Sequence, residues 1–257
     1  MTQPSAALII IGDEILSGRT KDKNINSLAQ FLHERGISLR EVRVIGDDHD
    51  RIVGTVQALS ADFDLVFTSG GIGPTHDDIT TVAVAAAFDV KVIRHPEADA
   101  LLIYHYEGTG LDYNSARQKM ADIPDGAELI YNPVSAAPGY RIGNVHVMAG
   151  VPKIFDAMLM QLDAMLPSGV KQHRISVQTA LGEGTLAEGL GVIEGRYHNL
   201  SIGSYPWFKP GQYGTAVVVS SLSLDDVNQA AAEVISLIES LGCTGAIEDV
   251  VTGGNTV

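Results

Sequence analysis

The sequence is short of cysteine, of basic residues, of aromatic side chains and of long apolar runs, and each shortage removes a class of function. A single cysteine, Cys243, excludes an intrachain disulfide and a thiolate metal cluster and fits a reducing compartment. Lys and Arg number 17 against 31 Asp and Glu, a formal net charge of -14. Such a chain lacks the clustered cations that replace counterions along a nucleic acid, so no nucleic-acid partner is expected. A small anionic ligand is not excluded, because backbone N–H groups with one or two cations can oppose the global charge locally. No apolar run approaches the roughly 20 residues that span a bilayer, and Met1-Thr2-Gln3-Pro4-Ser5 lacks the basic stretch of a secretory signal. The expectation is a soluble, cytoplasmic protein with no membrane partner. Aromatics make up only 6%, but a 45% hydrophobic content with 27 glycines describes a globular, turn-rich chain, not a disordered one.

The length of 257 residues accommodates one large domain and one small one. Ala6 to Ile11 is apolar without alternation, as in a parallel strand covered on both faces. Leu28, Phe31 and Leu32 then recur at helical spacing, and Leu39 to Ile45 reads as a second strand. A helix through Ile52, Val56 and Leu59, a strand from Leu65 to Thr68, and a helix from Val82 to Phe88 continue the alternation. The pattern predicts an α/β fold with a mostly parallel sheet and helices on both faces, binding ligands at the carboxyl ends of its strands. Residues 95–122 read as further helix, Val145 to Met148 as a strand and Ile154 to Leu162 as a helix. The predicted domains are an α/β domain over 1–168 and a small α+β domain over 169–250, with a frayed tail over 251–257.

Three loops after predicted strands carry the chemistry. The first runs Thr68-Ser69-Gly70-Gly71-Ile72-Gly73-Pro74-Thr75-His76-Asp77-Asp78-Ile79-Thr80. Gly70, Gly71 and Gly73 permit left-handed backbone and close approach, so that successive N–H groups can converge on an anion. Asp77 and Asp78 are either metal-handling carboxylates or a cap and dipole partner for the next helix. The loop is neither a Walker A motif nor a Gly-x-Gly-x-x-Gly fingerprint. The second, Gly12-Asp13-Glu14-Ile15-Leu16-Ser17-Gly18-Arg19, offers Arg19 to a phosphate and Asp13 and Glu14 to a ribose hydroxyl or a cation, or is a solvated acidic turn. The third, Gly46-Asp47-Asp48-His49-Asp50, either completes an acidic rim or caps the following helix.

These segments in this order, together with Asn24 and Leu28-Ala29, resemble the molybdopterin-binding domain shared by molybdenum-cofactor biosynthesis proteins and the competence/damage-inducible CinA proteins. The likeness covers about the first 165 residues. Asn114-x-x-Arg117-Gln118-Lys119, Ala137-Pro138-Gly139, Gly150-Val151-Pro152-Lys153-Ile154-Phe155 and Ile202-Gly203-Ser204-Tyr205-Pro206 are similar to the CinA type in particular. Two departures stand out: Met148-Ala149-Gly150-Val151-Pro152 replaces the usual Leu-Pro-Gly-x-Pro, and the chain has no room for the deamidase domain of full-length CinA.

The resemblance implies a catalytic group of Asp78, Asp48 and Lys119 and a divalent metal ion held by Asp77, Asp78 and Asp48, with Asp13 and Glu14 beside it. It also implies ligand contacts from Gly70, Gly71, Gly73, Thr75, Asp13, Glu14, Arg19, Asn114, Arg117, Pro138 and Gly139, and a homo-oligomer. Three functions follow. The CinA-type motifs favour metal-dependent hydrolysis of a nucleotide pyrophosphate such as FAD or ADP-ribose, releasing AMP. The alternatives are molybdopterin binding with adenylyl transfer, and a non-catalytic nucleotide-binding module. Tyr205 and Trp207 could stack on a ring, although packing suits Trp207 better. The histidines show no metal-ligand spacing, and no Gly-x-Ser-x-Gly elbow supports serine chemistry.

Overall fold

A computed structural model describes residues 3–253. The chain divides into two compact units between Pro167 and Ser168. In the first, the elements run β1 (Ser5–Ile11), α1 (Asp13–Leu16), α2 (Asn24–His33), β2 (Ser38–Ile45), α3 (His49–Asp62), β3 (Leu65–Ser69) and α4 (Thr80–Ala87). They continue through β4 (Val92–Arg94), α5 (Pro96–Tyr106), α6 (Ser115–Gln118), β5 (Asp122–Pro124), β6 (Glu128–Ile130), β7 (Gly139–Ile142), β8 (Val145–Met148) and α7 (Pro152–Leu159).

The main sheet has the order β2-β1-β3-β8-β7-β6. The first four strands are parallel, β7 runs antiparallel to β8, and β6, antiparallel to β7, returns to the direction of the first four. The apolar run of β1 explains its central place, because its side chains feed two cores in turn. Ala7, Ile9 and Ile11 join Ile52, Val56 and Leu59 of α3 and Ala83 and Val84 of α4. Ala6, Leu8 and Ile10 join Leu28, Phe31 and Leu32 of α2 and Phe155, Met158 and Leu159 of α7. Each fully buried Leu or Ile here contributes about 1.5–3 kcal/mol. The mostly parallel α/β architecture is the expected one. Between residues 95 and 122 the structure differs: α5 ends at Tyr106, where Glu107 turns extended. The Glu107-Gly108-Thr109-Gly110 stretch cannot sustain a helix, and the chain resumes in α6 and a 3-10 turn at Lys119–Ala121.

His146 sits in β8 opposite Phe67 of β3, its ring stacked with a centroid separation of 4.9 Å. Nδ1 lies 3.3 Å from the Val66 carbonyl oxygen, and Nε2 has no partner among the described residues. Burial pushes its pKa down to about 4. The unfolded chain binds this proton near pH 6.5 and the folded one only near 4, so stability is complete above 6.5 and falls as the pH drops through this window. The expected loss is on the order of 3 kcal/mol. Urea midpoints of wild type and His146→Gln should therefore diverge in slope between pH 7 and 4, and parallel curves would remove His146 from the acid response.

The second unit comprises β9 (His173–Thr179), α8 (Glu183–Glu194), β10 (Leu200–Lys209), β11 (Gln212–Ser221), α9 (Leu224–Ser240) and β12 (Ala246–Val251). Its antiparallel sheet, β10-β11-β9-β12, packs Ile175, Val177, Val217 and Val219 against Leu186 and Leu190 of α8 and Val227, Val234 and Ile238 of α9. The frayed tail is corrected at its start: Val251 pairs with Arg174, and the Gly253 N–H donates to His173 Nδ1 at 3.0 Å. Residues 254–257 lie outside the described ones. Among the described residues, no helix is long and apolar enough to cross a membrane.

Candidate functional site

Parallel strands end together, and here the ends of β1, β3 and β8 open on a cleft of about 590 Å³. The glycine loop after β3 forms one wall, the turn after β1 a second, and the loop before β7 a third. The reversal of β7 brings that third wall round, because an antiparallel neighbour starts where the parallel strands finish.

The glycine loop is held by α4. Thr80, fully buried at the helix start, donates from Oγ1 to the Gly70 carbonyl at 2.9 Å and from its N–H to the Gly71 carbonyl at 3.0 Å. Gly71 has φ +70, and a Cβ there would lie 2.1 Å from Thr80 Oγ1. Gly70 is corrected as a phosphate donor, because its N–H already bonds the Met148 carbonyl at 3.1 Å. The N–H groups of Gly71, Ile72 and Gly73 make no hydrogen bond among the described residues. Three consecutive open donors at a cleft wall form an anion-binding arrangement. Asp78 folds the far end of the loop, its Oδ2 accepting the Thr75 N–H at 2.8 Å and the Thr75 hydroxyl at 2.5 Å. Lys119 Nζ donates to the Thr75 carbonyl, which ties the residue to the outside of the loop.

Opposite the glycines lie Glu14, Arg19 and Asp47. Arg19 is exposed, with no hydrogen bond or ion pair among the described residues. Asp47 Oδ2 accepts the Asp13 N–H at 3.0 Å. Burial first, and then the charges of Asp13, Glu14 and Asp77, raise the Asp47 carboxyl above the ordinary range, against the lowering by that hydrogen bond. Asp48, the residue expected in this role, is corrected: it does not line the cleft but caps α3, its Oδ1 accepting the Arg51 N–H at 2.8 Å. Its extended backbone (φ -118, ψ 122) turns the carboxylate along the helix start. Asp48→Ala should cost about 1 kcal/mol of stability in urea denaturation and leave ligand affinity unchanged.

Asn114 and Arg117 are likewise not brought to the cleft lining. Asn114 caps α6, accepting the Arg117 N–H at 3.1 Å. Arg117 donates to the Asp112 carbonyl and lies 4.9 Å from the centre of the Tyr106 ring. Pro138 and Gly139 are buried at the start of β7, and Ala137 reaches the cleft in their place. In the second unit Tyr205 is exposed on β10, and Trp207 carries Lys209 Nζ 5.3 Å from its ring centre.

Two structural residues went unassigned from sequence. Asn24, 2% exposed, donates from Nδ2 to Ser69 Oγ at 2.7 Å and to the Gly150 carbonyl at 2.8 Å, joining the ends of β3 and β8 beneath the cleft. Asn132, 5% exposed, donates to Ser135 Oγ at 2.6 Å and the Ala137 carbonyl at 2.9 Å, and accepts the N–H groups of Val134 and Ser135. It builds the third wall from the inside.

The fold and the cleft define an open α/β sheet protein whose ligand site lies beyond the carboxyl ends of its parallel strands. Residues 7–167 match the family described as probable molybdopterin binding domain, and residues 171–244 match the middle domain of FAD synthase. A probable FAD synthase of Caenorhabditis elegans is 33% identical over 261 residues, which is 92% of this chain and 50% of that protein. A CinA-like protein of Desulfosudis oleivorans is 34% identical over 185 residues, 70% of this chain and 42% of that protein. Among solved structures, the protein CinA of Thermoplasma acidophilum, described as of unknown function, superposes with a TM-score of 0.59 at 34% identity, covering 63% of this chain and 97% of that one. The chain belongs to the molybdopterin-binding-domain family, in its CinA-like branch. It spans half or less of the length of both curated relatives.

Proposed function

We propose that the cleft binds a nucleotide pyrophosphate of the FAD or ADP-ribose type and hydrolyses it with a divalent metal ion, releasing AMP. The observation that carries this reading is the pairing of open N–H groups at Gly71, Ile72 and Gly73 with carboxylates across one cleft. Donors of that kind take phosphate oxygens, and Glu14 and Asp47 of the same lining have no ion-pair partner among the described residues. The match to the FAD synthase middle domain and the relatives named probable FAD synthase support an adenine dinucleotide over a pterin.

The donor set suits a hard cation in one particular way. Among the described residues no three His, Cys, Asp or Glu side chains converge as a ligand cage. Magnesium-type sites use one or two carboxylates, with waters and substrate phosphates completing the shell, and Glu14 with Asp77 meets that need. Bound there, the ion would neutralise the pyrophosphate and polarise it towards attack. The chain's own groups do the rest. The glycine N–H groups hold the phosphate oxygens and Arg19 adds positive charge. A water oxygen bonds to the adenylate phosphorus, the bridging P–O bond breaks so that the other half of the pyrophosphate leaves as a phosphate monoester, and the water proton passes to the Asp47 carboxylate.

The deciding experiment is product analysis after incubation with FAD, ADP-ribose and ATP, each with and without magnesium. AMP from FAD or ADP-ribose only with metal is the expected result. No product from any nucleotide would sink the hydrolase reading, and turnover of ATP only with a pterin acceptor would replace it by adenylyl transfer.

A further inference from the structure

A second cavity of about 650 Å³ adjoins the cleft and shares Asn132 with it. The Asn132–Ala137 loop is the partition: Ser135 and Ala137 face the cleft, and Pro133 and Ala136 face the second cavity. Ala136 adopts φ +59, an uncommon conformation for a residue with a side chain, and its N–H bonds the Asn132 carbonyl at 3.0 Å. With both polar ends of the Asn132 side chain bonded inside the loop, this partition is a fixed wall.

Tyr104 and Tyr131 share the rest of the cavity's lining with Leu101, His105, Glu107 and Gln161. Tyr104 is 80% exposed, an unusual state for so large a ring, and has no hydrogen bond among the described residues. Tyr131 is 46% exposed, and its orientation is set by a hydrogen bond from its hydroxyl to Glu97 Oε1 at 2.5 Å. Gln161 supplies an amide at the edge. In a chain with only 6% aromatic residues, two accessible tyrosines around one cavity next to the phosphate site form a platform for a planar ring. The lining carries no Lys or Arg and includes the acidic Glu107, which disfavours a second phosphate there.

We infer that this cavity takes the planar ring system at the far end of the dinucleotide, with the phosphates at the glycine loop and the ring beyond the Asn132 wall. The inference rests on the proposed function and adds to it a preference for dinucleotides with an aromatic second half. FAD carries such a ring on the far side of its pyrophosphate, whereas ADP-ribose ends there in a sugar, so the two substrates separate the platform from the phosphate site.

Steady-state kinetics with both substrates, on wild type, Tyr104→Ala, Tyr131→Ala and Tyr131→Phe, test this. Loss of one stacking face should raise KM for FAD by about tenfold or more while leaving KM for ADP-ribose within about twofold. Tyr131→Phe, which keeps the ring but frees it from Glu97, should fall between wild type and Tyr131→Ala. FMN fluorescence gives a readout without turnover: wild type should quench it, and either alanine variant should quench it less. Equal KM changes for both substrates, or no change for either, would overturn the inference while the hydrolase stands. If wild type turned over neither substrate, the proposed function would fall, and FMN quenching dependent on both tyrosines would still uphold the ring site. Absence of FMN quenching by wild type would refute it.

Discussion

Asp47→Asn is expected to abolish turnover and at the same time to raise the melting temperature at neutral pH. The two effects have one cause. The fold places the Asp47 carboxyl in partial burial beside Asp13, Glu14 and Asp77, so the ionised form is disfavoured and its pKa is raised. In the unfolded chain the group ionises near pH 3.9. Ionisation therefore opposes folding, by an amount that grows as the pH climbs from that ordinary value through the raised one and is constant above it. The asparagine carries no charge and removes the opposition, so its stabilising effect should fade as the pH is lowered towards the ordinary carboxylate range. Loss of the proposed proton acceptor should lower kcat by about 100-fold or more. Thermal melts at pH 7 and pH 4, with AMP release measured alongside, read both arms. A variant as active as wild type would return the acid–base role to another carboxylate, and a lower melting temperature at pH 7 would refute the electrostatic account.

The second large effect is at the glycine loop. Gly71→Ala should destabilise the protein by about 2–4 kcal/mol and remove detectable nucleotide binding, because two penalties coincide. The left-handed backbone disfavours any side chain, and the new methyl would press on Thr80 Oγ1, the atom that fixes the loop to α4. Gly18→Ala separates the two. Gly18 also has a positive φ, +73, but a Cβ there meets nothing within 4 Å. It should cost only about 1–2 kcal/mol of backbone strain. Urea denaturation and calorimetric titration of FAD provide the comparison. Equal losses at the two glycines would show that backbone angle alone governs and that the Thr80 contact is incidental.

Much of the first unit was legible because its apolar residues sit in unambiguous runs. The unalternating stretch from Ala6 to Ile11 reads as a strand buried on both faces, and the run from Leu65 to Thr68 reads the same way up to the glycines that follow it. The third loop was harder. Asp47 and Asp48 are chemically identical neighbours, and composition cannot say which faces the cleft. The signal lay in helix capping: Asp48 immediately precedes the first helical residue, the position whose side chain turns back on the helix N–H groups, which leaves Asp47 for the cleft. Asn24 and Asn132 act through bonds to residues more than 40 positions away or inside an irregular loop, and no local spacing announces either. The strands β10 and β12 are hard to read from sequence for a different reason. Both are edge strands, largely exposed, and carry Gly203, Pro206 or consecutive acidic residues that a central strand would reject. Edges tolerate such residues because one side of the backbone needs no partner strand.

For the proposed ligand, the carboxylates around the cleft would also set the tempo of binding. A polyanionic ligand approaching a chain of net charge -14, towards a rim that includes Glu14, Asp47 and Asp77, climbs an electrostatic hill until the last few ångströms, where the loop N–H groups take over. Arrival is therefore slow at low ionic strength and quickens as salt shortens the reach of the repulsion, the reverse of a steered encounter. Free divalent cation does the same from the ligand's side by travelling on its phosphates. Affinity in such a site has to come from slow departure, and a ligand that reaches it bare waits longer at the door than one that arrives with its charge already covered.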